Sequence, residues 1–131
     1  MPDGTIIVTG ASRGIGAGIA ADLAGRGYSV AALSRSGEAP TGEGYRCDVA
    51  NEAALTSVIA SIAAKGRIVG LVNNAGAHRS TPSAQLSVLE LENTMRLNMT
   101  AALVASREIY PHLKQAGGGT IVNIEIGRAH V

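Results

Sequence analysis

The sequence predicts an α/β fold: a doubly wound parallel sheet with helices on both faces. Three observations predict it. Short β-branched runs alternate with longer segments of helical period, the pattern of repeated strand–helix–strand units. The runs TIIVT, SVAAL and IVGLVN are continuously apolar rather than alternating, as strands are when both faces of their sheet are covered. A glycine-rich turn, TGASRGIG, joins the first run to the first helix.

The elements follow in order. Thr5–Thr9 is a short apolar run and reads as a buried strand. Ile15–Leu23 has helical character and ends near Gly25 and Gly27. Ser29–Leu33 is a second strand, Gly37–Gly44 (GEAPTGEG) a loop by composition, and Tyr45–Val49 a third strand. Asn51–Lys65 is a helix, because Leu55, Val58, Ile59 and Ile62 fall at i, i+3, i+4 and i+7 and make one apolar stripe. Gly66 stops it, and Ile68–Asn73 is a fourth strand. Ser87–Gln115 reads as one long helix, opened by Ser87 and Glu90 at capping-box spacing, with Pro111 thinning or kinking its last turn. Gly117–Gly119 breaks the chain before a fifth strand, Thr120–Ile124.

Composition narrows the function classes. A chain of 131 residues is enough for one domain, and at 46% hydrophobic residues it builds a core without metals or disulfides. Glycine is abundant, with 17 residues, and Phe and Trp are absent, which suits thin helix–sheet layers of Ala, Val, Ile and Leu. The formal net charge of +1 favours neither nucleic acid nor an anionic membrane as partner, so any role of the arginines is local. Cys47 is the only cysteine; it excludes an internal disulfide and points to a reducing, cytoplasmic setting. The start, MPDGTIIVTGAS, has no basic region or long apolar stretch, so no signal peptide is expected. No run approaches the roughly 18 apolar residues that a membrane span needs. His78, His112 and His130 have no metal-ligand spacing with Cys or acidic residues, so no metal site is expected.

The strongest chemical signal is Thr9-Gly10-Ala11-Ser12-Arg13-Gly14-Ile15-Gly16, directly after a strand and opening a helix. Gly10 permits a sharp turn out of the strand. Gly14 and Gly16 remove Cβ atoms that would block a phosphate or the approach of helix to strand. The helix N-terminus then offers free N–H groups and about half a positive charge to a diphosphate.

TGASRGIG matches the TGxxxGxG pattern of the short-chain dehydrogenase/reductase family, and Asn73-Asn74-Ala75-Gly76 matches that family's NNAG at the end of strand four. Asn98 matches its structural and catalytic Asn, and Cys47-Asp48-Val49 resembles the Asp-Val that lines its adenine pocket. These motifs stand in the family's order from Thr5 to about Ile124. The resemblance implies a Rossmann-type fold, incomplete at about five strands, with strands six and seven missing. It implies a dinucleotide site of Gly10, Ser12, Arg13, Gly14, Ile15 and Gly16 around the phosphates and Asp48 and Val49 at the adenine. Asn74, Ala75 and Gly76 are implied as cofactor lining, and Asn98 as the residue that kinks its helix and holds a water in a proton relay. It also implies a small-molecule carbonyl or alcohol substrate, and a parent protein that is a homo-oligomer paired through the long helix.

Charge argues the choice of cofactor. The residue ending strand two meets the adenosine ribose in dinucleotide folds. An acid there accepts from the 2′-OH and repels a 2′-phosphate. This sequence has Ser34-Arg35 and no carboxylate. Arg35 can contact a 2′-phosphate bidentately, and Arg13 adds a second charge. Such charged hydrogen bonds contribute about 1.5–3 kcal/mol each. NADP(H) is therefore expected over NAD(H), by about tenfold or more.

Other polar residues read as ordinary. Cys47 is expected to be a small buried residue. Tyr110 has Lys114 one helical turn on, the spacing of a Tyr–Lys pair, but the pair precedes strand five whereas the family's Tyr and Lys follow it. After Ile121-Val122-Asn123-Ile124 the family pattern expects Ser-Ser, and here Glu125-Ile126 follow. The family's substrate-polarising Ser and its Tyr and Lys are thus not expected in this chain. Residues 1–124 are expected to be the dinucleotide-binding portion and 125–131 a non-family tail. Ile126–Val131 (IGRAHV) resembles the translation of a common sequencing-library adapter, ATCGGAAGAGCACACGTC; genomic sequence across codon 125 decides that origin.

Three functions stay open at this point. The first is an oxidoreductase interconverting a carbonyl and a secondary alcohol in the parent protein, with this chain inactive alone. The second is a non-catalytic nucleotide-binding module, and the third a structural fragment that pairs through the long helix.

Overall fold

The computed structural model describes residues 3–76 and 81–125. Five parallel strands form one sheet: β1 (Thr5–Thr9), β2 (Ser29–Ser34), β3 (Glu43–Arg46), β4 (Ile68–Asn73) and β5 (Thr120–Asn123), in the order β3-β2-β1-β4-β5. The order reverses between β1 and β4, the strands that follow β1 building one side and those from β4 the other. A parallel sheet of this kind opens a crevice at that reversal, outside the carboxyl ends of the strands.

The helices are α1 (Gly14–Gly25), α2 (Glu52–Lys65), α3 (Val88–Met95) and α4 (Ala101–Gln115), with a 3₁₀ turn at Ser83–Gln85. Alternation along the strands sorts the core into two layers. Val8, Val30, Ala32 and Val72 point to the face that α1 covers with Ala20, Ile19 and Leu23. Ile7, Ala31, Leu33 and Leu71 point to the opposite face, against Leu55, Ile59 and Ile62 of α2 and Val104, Ala105, Ile109 and Leu113 of α4. The sheet is therefore covered on both faces, as the continuous apolar runs predict. β5 departs from this: all four of its residues are exposed.

Several boundaries differ from the sequence reading. The third strand is Glu43–Arg46, not Tyr45–Val49. Cys47 and Val49 are buried because they lie against the α2 layer, not because they pair in the sheet; Cys47 closes the ladder with one bond, its N–H donating to the Ser34 carbonyl at 2.8 Å. Asn51 is the N-cap of α2 rather than its first residue, its Oδ1 accepting from the Ala54 N–H at 3.1 Å. The capping box at the start of α3 is half made. Ser87 Oγ accepts from the Glu90 N–H at 3.1 Å, but the Glu90 carboxylate accepts from the Thr81 hydroxyl instead of reaching back to Ser87.

The long helix is interrupted. Arg96–Thr100 is a π-helical turn between α3 and α4, with Asn98 at its centre. α4 then runs through Pro111 to Gln115. Of the tail expected at 125–131, only Glu125 lies among the described residues; His78 and His130 lie outside them.

Candidate functional site

The turn after β1 takes its shape from its glycines. Gly10 and Gly14 have φ of 63° and 60°, the left-handed region that side chains strain. A Cβ on Gly10 would stand 3.0 Å from Ala75 Cα and from Asn74 Nδ2. A Cβ on Gly16 would stand 2.1 Å from the Gly10 carbonyl oxygen, so α1 seats on the turn only because residue 16 is glycine. Gly14 is different: nothing lies within 4 Å of where its Cβ would be. No side chain caps α1 at Arg13, and no acid occupies its first turn. Its N–H groups and the positive end of its dipole thus face an open cradle that a phosphate fits.

The cradle is braced from β4. Thr9, 3% exposed, ends β1, and its Oγ1 accepts from the N–H groups of Asn74 (3.0 Å) and Ala75 (2.9 Å). The Asn74 amide Nδ2 also donates to the carbonyls of Thr9 and Gly10, each at 3.1 Å. Asn74 is therefore the clamp that joins the two strand ends across the crevice.

A cleft of about 560 Å³ opens there. It is lined by Gly10, Ser12, Arg13, Gly14, Ile15, Arg35, Asp48, Val49, Asn74, Ala75 and Gly76, so eleven of the thirteen expected site residues share it. Gly16 is buried under the turn and does not line this cleft. Asn98 faces an adjoining cleft. The charge in the first cleft is unbalanced: Arg13, Arg35 and Arg96 face one carboxylate, Asp48. Among the described residues no ion pair engages any of these three guanidinium groups. Ser34 shapes the end of β2, its Oγ accepting from the Gly37 N–H at 3.0 Å and leaving Arg35 exposed at the rim. Asp48 Oδ1 accepts from the Ala50 N–H at 3.0 Å, which fixes the turn into α2. Cys47 also borders the cleft but is only 3% exposed; burial first, and the Asp48 charge second, push its thiol pKa up.

The adjoining cleft, about 770 Å³, shares Val49, Asn74, Ala75 and Gly76 with the first. Asn98 Nδ2 donates to the Thr94 carbonyl at 2.9 Å, a bond to the preceding turn that accompanies the π-helical bulge. Asn98 Oδ1 would stand 2.6 Å from a Cβ on Gly76, so the NNAG glycine and the helix Asn approach only for want of a side chain. Glu125 lines this cleft beside Asn123 and Ile124.

Sequence reasoning missed some participants. Asn73 Nδ2 donates to Asn123 Oδ1 at 2.9 Å and ties β4 to β5 at the mouth of the second cleft. Two asparagines at like positions in adjacent runs were the available signal. The Thr9 hydroxyl, inside a motif read for its glycines, is a second participant: it accepts from the Asn74 and Ala75 N–H groups. Asn93, Arg96 and Leu97 enter the first cleft through the π-turn, which no periodicity shows. Among the described residues there is no group of three His, Cys, Asp or Glu side chains placed to hold a metal ion, and no helix long and apolar enough to cross a membrane.

This geometry has relatives. The family model for short chain dehydrogenase matches residues 4–130. D-threitol dehydrogenase of Mycolicibacterium smegmatis is 34% identical over 93% of this chain and 52% of its own length. A short-chain dehydrogenase structure from Streptomyces avermitilis superposes with a TM-score of 0.88 at 28% identity, over 94% of this chain and 49% of that one. A metagenomic short-chain oxidoreductase in complex with NADP gives 0.84 at 29% identity, over 93% of this chain and 61% of that one. The chain spans about half the length of the curated relatives it matches. With the glycine turn, the reversal of strand order and the matched residues in agreement, the chain belongs to the short-chain dehydrogenase family of oxidoreductases.

Proposed function

We propose that residues 1–124 are the dinucleotide-binding portion of an NADP(H)-dependent oxidoreductase that interconverts a carbonyl and a secondary alcohol. The observation that carries this reading is the open cradle at Gly14, where a glycine in the left-handed region meets an uncapped helix N-terminus. A neutral ligand has no use for that arrangement, and a diphosphate has.

In this reading the N–H groups of the turn hold the diphosphate. Arg13 and Arg35 hold the 2′-phosphate, which no acid at the end of β2 opposes. Asp48 and Val49 border the adenine, and Asn74 to Gly76 form the wall of the nicotinamide side. The bound cofactor supplies the hydride. Asn98 steadies a water in the proton relay, held in place by its own bond to the Thr94 carbonyl of α3. The exposed apolar residues Val88, Leu89, Met99 and Leu103 supply the surface through which the parent pairs as a homo-oligomer. The same reading puts the protein in a reducing cytoplasm, with its thiol at Cys47 buried.

A second reading, a non-catalytic NADP(H)-binding fragment, is favoured by one observation. Glu125 lines the cleft of Asn98 at the position where the family pattern has Ser, and a carboxylate repels the alkoxide that Ser would steady. Calorimetric titration with NADP⁺ and NAD⁺ tests the shared part: binding of NADP⁺ at least tenfold tighter is expected, and binding of neither overturns it. Ketone-dependent oxidation of NADPH by the parent protein separates the two readings, since both expect none from this chain alone.

A further inference from the structure

The first cleft has a wall to which no role has been given. Asn93, Arg96 and Leu97 face it from the end of α3 and the π-turn, together with Asp48, Val49 and Ala50. Arg96 also borders a groove of about 550 Å³, and the residues common to cleft and groove are Val49, Ala50 and Arg96. None of residues 10–16 reaches that groove. Arg96 therefore stands at the Val49 end of the cleft, away from the glycine turn.

We propose that Arg96 is an adenosine-binding residue whose guanidinium closes over the adenine base, opposite Val49. This rests on the NADP(H) reading above. Among the described residues no aromatic side chain lines the cleft, so a purine there has aliphatic walls from Val49 and Leu97 and the guanidinium plane of Arg96. A guanidinium stacks on a ring face and is less strongly hydrated than an ammonium, so it keeps that contact in water. Its charge is not engaged by any acid among the described residues. Arg13 and Arg35 sit on other elements, the turn after β1 and the end of β2, and are left to the phosphates.

The π-turn makes the placement possible. Arg96 and Asn98 are two residues apart in the same five-residue turn, yet they line different clefts. One distortion of the helix thus serves both ends of the dinucleotide.

Calorimetric titration of the chain and its variants with NADP⁺, NAD⁺, AMP and nicotinamide mononucleotide tests this. Arg96→Ala is expected to lower affinity for the three adenine ligands by a common factor, about three- to tenfold, and to leave the mononucleotide unchanged. Arg96→Lys keeps the charge but not the plane, and is expected to lose nearly as much. Arg35→Ala, run beside them, is expected to lose affinity for NADP⁺ alone. Wild-type affinity in Arg96→Ala overturns the proposal, as does full recovery in Arg96→Lys or a loss confined to NADP⁺. A wild-type chain that binds neither dinucleotide overturns the cofactor reading and this proposal with it. Arg96 is exposed, so both variants are expected to melt with the wild type.

Discussion

Asn74 donates two hydrogen bonds to Thr9 across the crevice: its N–H to the Thr9 hydroxyl at 3.0 Å, and its side-chain amide to the Thr9 carbonyl at 3.1 Å. The same amide also holds the Gly10 carbonyl. Asn74→Ala strips a donor from two carbonyls at a partly buried turn, which costs about 1–3 kcal/mol. Urea denaturation is expected to show that loss as a lower midpoint at unchanged slope. Asn74→Asp, of the same size, should recover none of it, since both contacts need an N–H donor. A variant as stable as wild type would show that the clamp is dispensable.

The glycines of the turn and of α1 are not equivalent. Ala at position 16 drives a Cβ to 2.1 Å from a backbone carbonyl, which cannot rotate away. Ala at position 18 meets nothing within 4 Å. Gly16→Ala is expected to destabilise by about 1–3 kcal/mol or more, as overpacking does. Gly18→Ala should stabilise by up to about 1 kcal/mol through helix propensity. Thermal melts of the two side by side check the contrast, and a shared sign would contradict it. Gly76→Ala falls between them, because Asn98 Oδ1 is the end of a side chain and can move.

Burial holds Cys47 protonated beyond the usual thiol range. The sign follows from which state binds the proton. The folded thiol keeps its proton where the unfolded one, near pH 8.5, has begun to lose it. Its contribution is whole below that pH and fades as pH rises through the higher folded value. The Tm of wild type relative to Cys47→Ala should therefore fall on going from pH 7 to 10. Alkylation by iodoacetamide at pH 8 should be slow until the chain is unfolded by urea. Prompt labelling of the folded chain would show that the thiol is reactive.

In the proposed reading Arg35 is the sharpest handle on cofactor choice. It is exposed at the rim of the cleft and pairs with no acid among the described residues. Arg35→Asp replaces a 2′-phosphate donor with an acceptor for a 2′-OH. Affinity for NADP⁺ should fall by about tenfold or more, the effect of one charged hydrogen bond. Affinity for NAD⁺ should hold or rise. Equal losses for both cofactors would mean that Arg35 does not read the ribose.

The sequence shows the core strands and the turn well, because burial and glycine geometry leave local marks. β1 and β4 run as their apolar stretches predict, and both are central. β3 was displaced because an edge strand need not be apolar: Glu43, Gly44 and Arg46 are exposed, whereas Cys47 and Val49 are buried beyond its end. Apolarity reported burial there, not pairing. The π-turn leaves no mark, since one added residue turns the apolar face by about 100°, no more than the width of the stripe itself. It carried Arg96 into a cleft where no motif had put it. Asn98 was found only through its resemblance to a family position.

The exposed edge carries the last expectation. Among the described residues β5 pairs with β4 alone, and its residues Ile121 and Val122 are 37% and 41% exposed. An apolar strand with one row of unpaired N–H and C=O groups is a template for a second chain. Proteins blunt such edges with charge, lysine above all, because an ammonium cannot be buried between paired strands without loss of hydration. Val122 pairs with Val72 in the ladder, and its own side chain is half in solvent, so Lys there keeps the β4 register while charging one face. Val122→Lys should therefore slow aggregation of this chain severalfold, read by light scattering at equal concentration, with the far-UV spectrum unchanged. Aggregation at the wild-type rate would place the sticky surface elsewhere. The exposed stripe of Val88, Leu89, Met99 and Leu103 on the helices is then the surface to charge next.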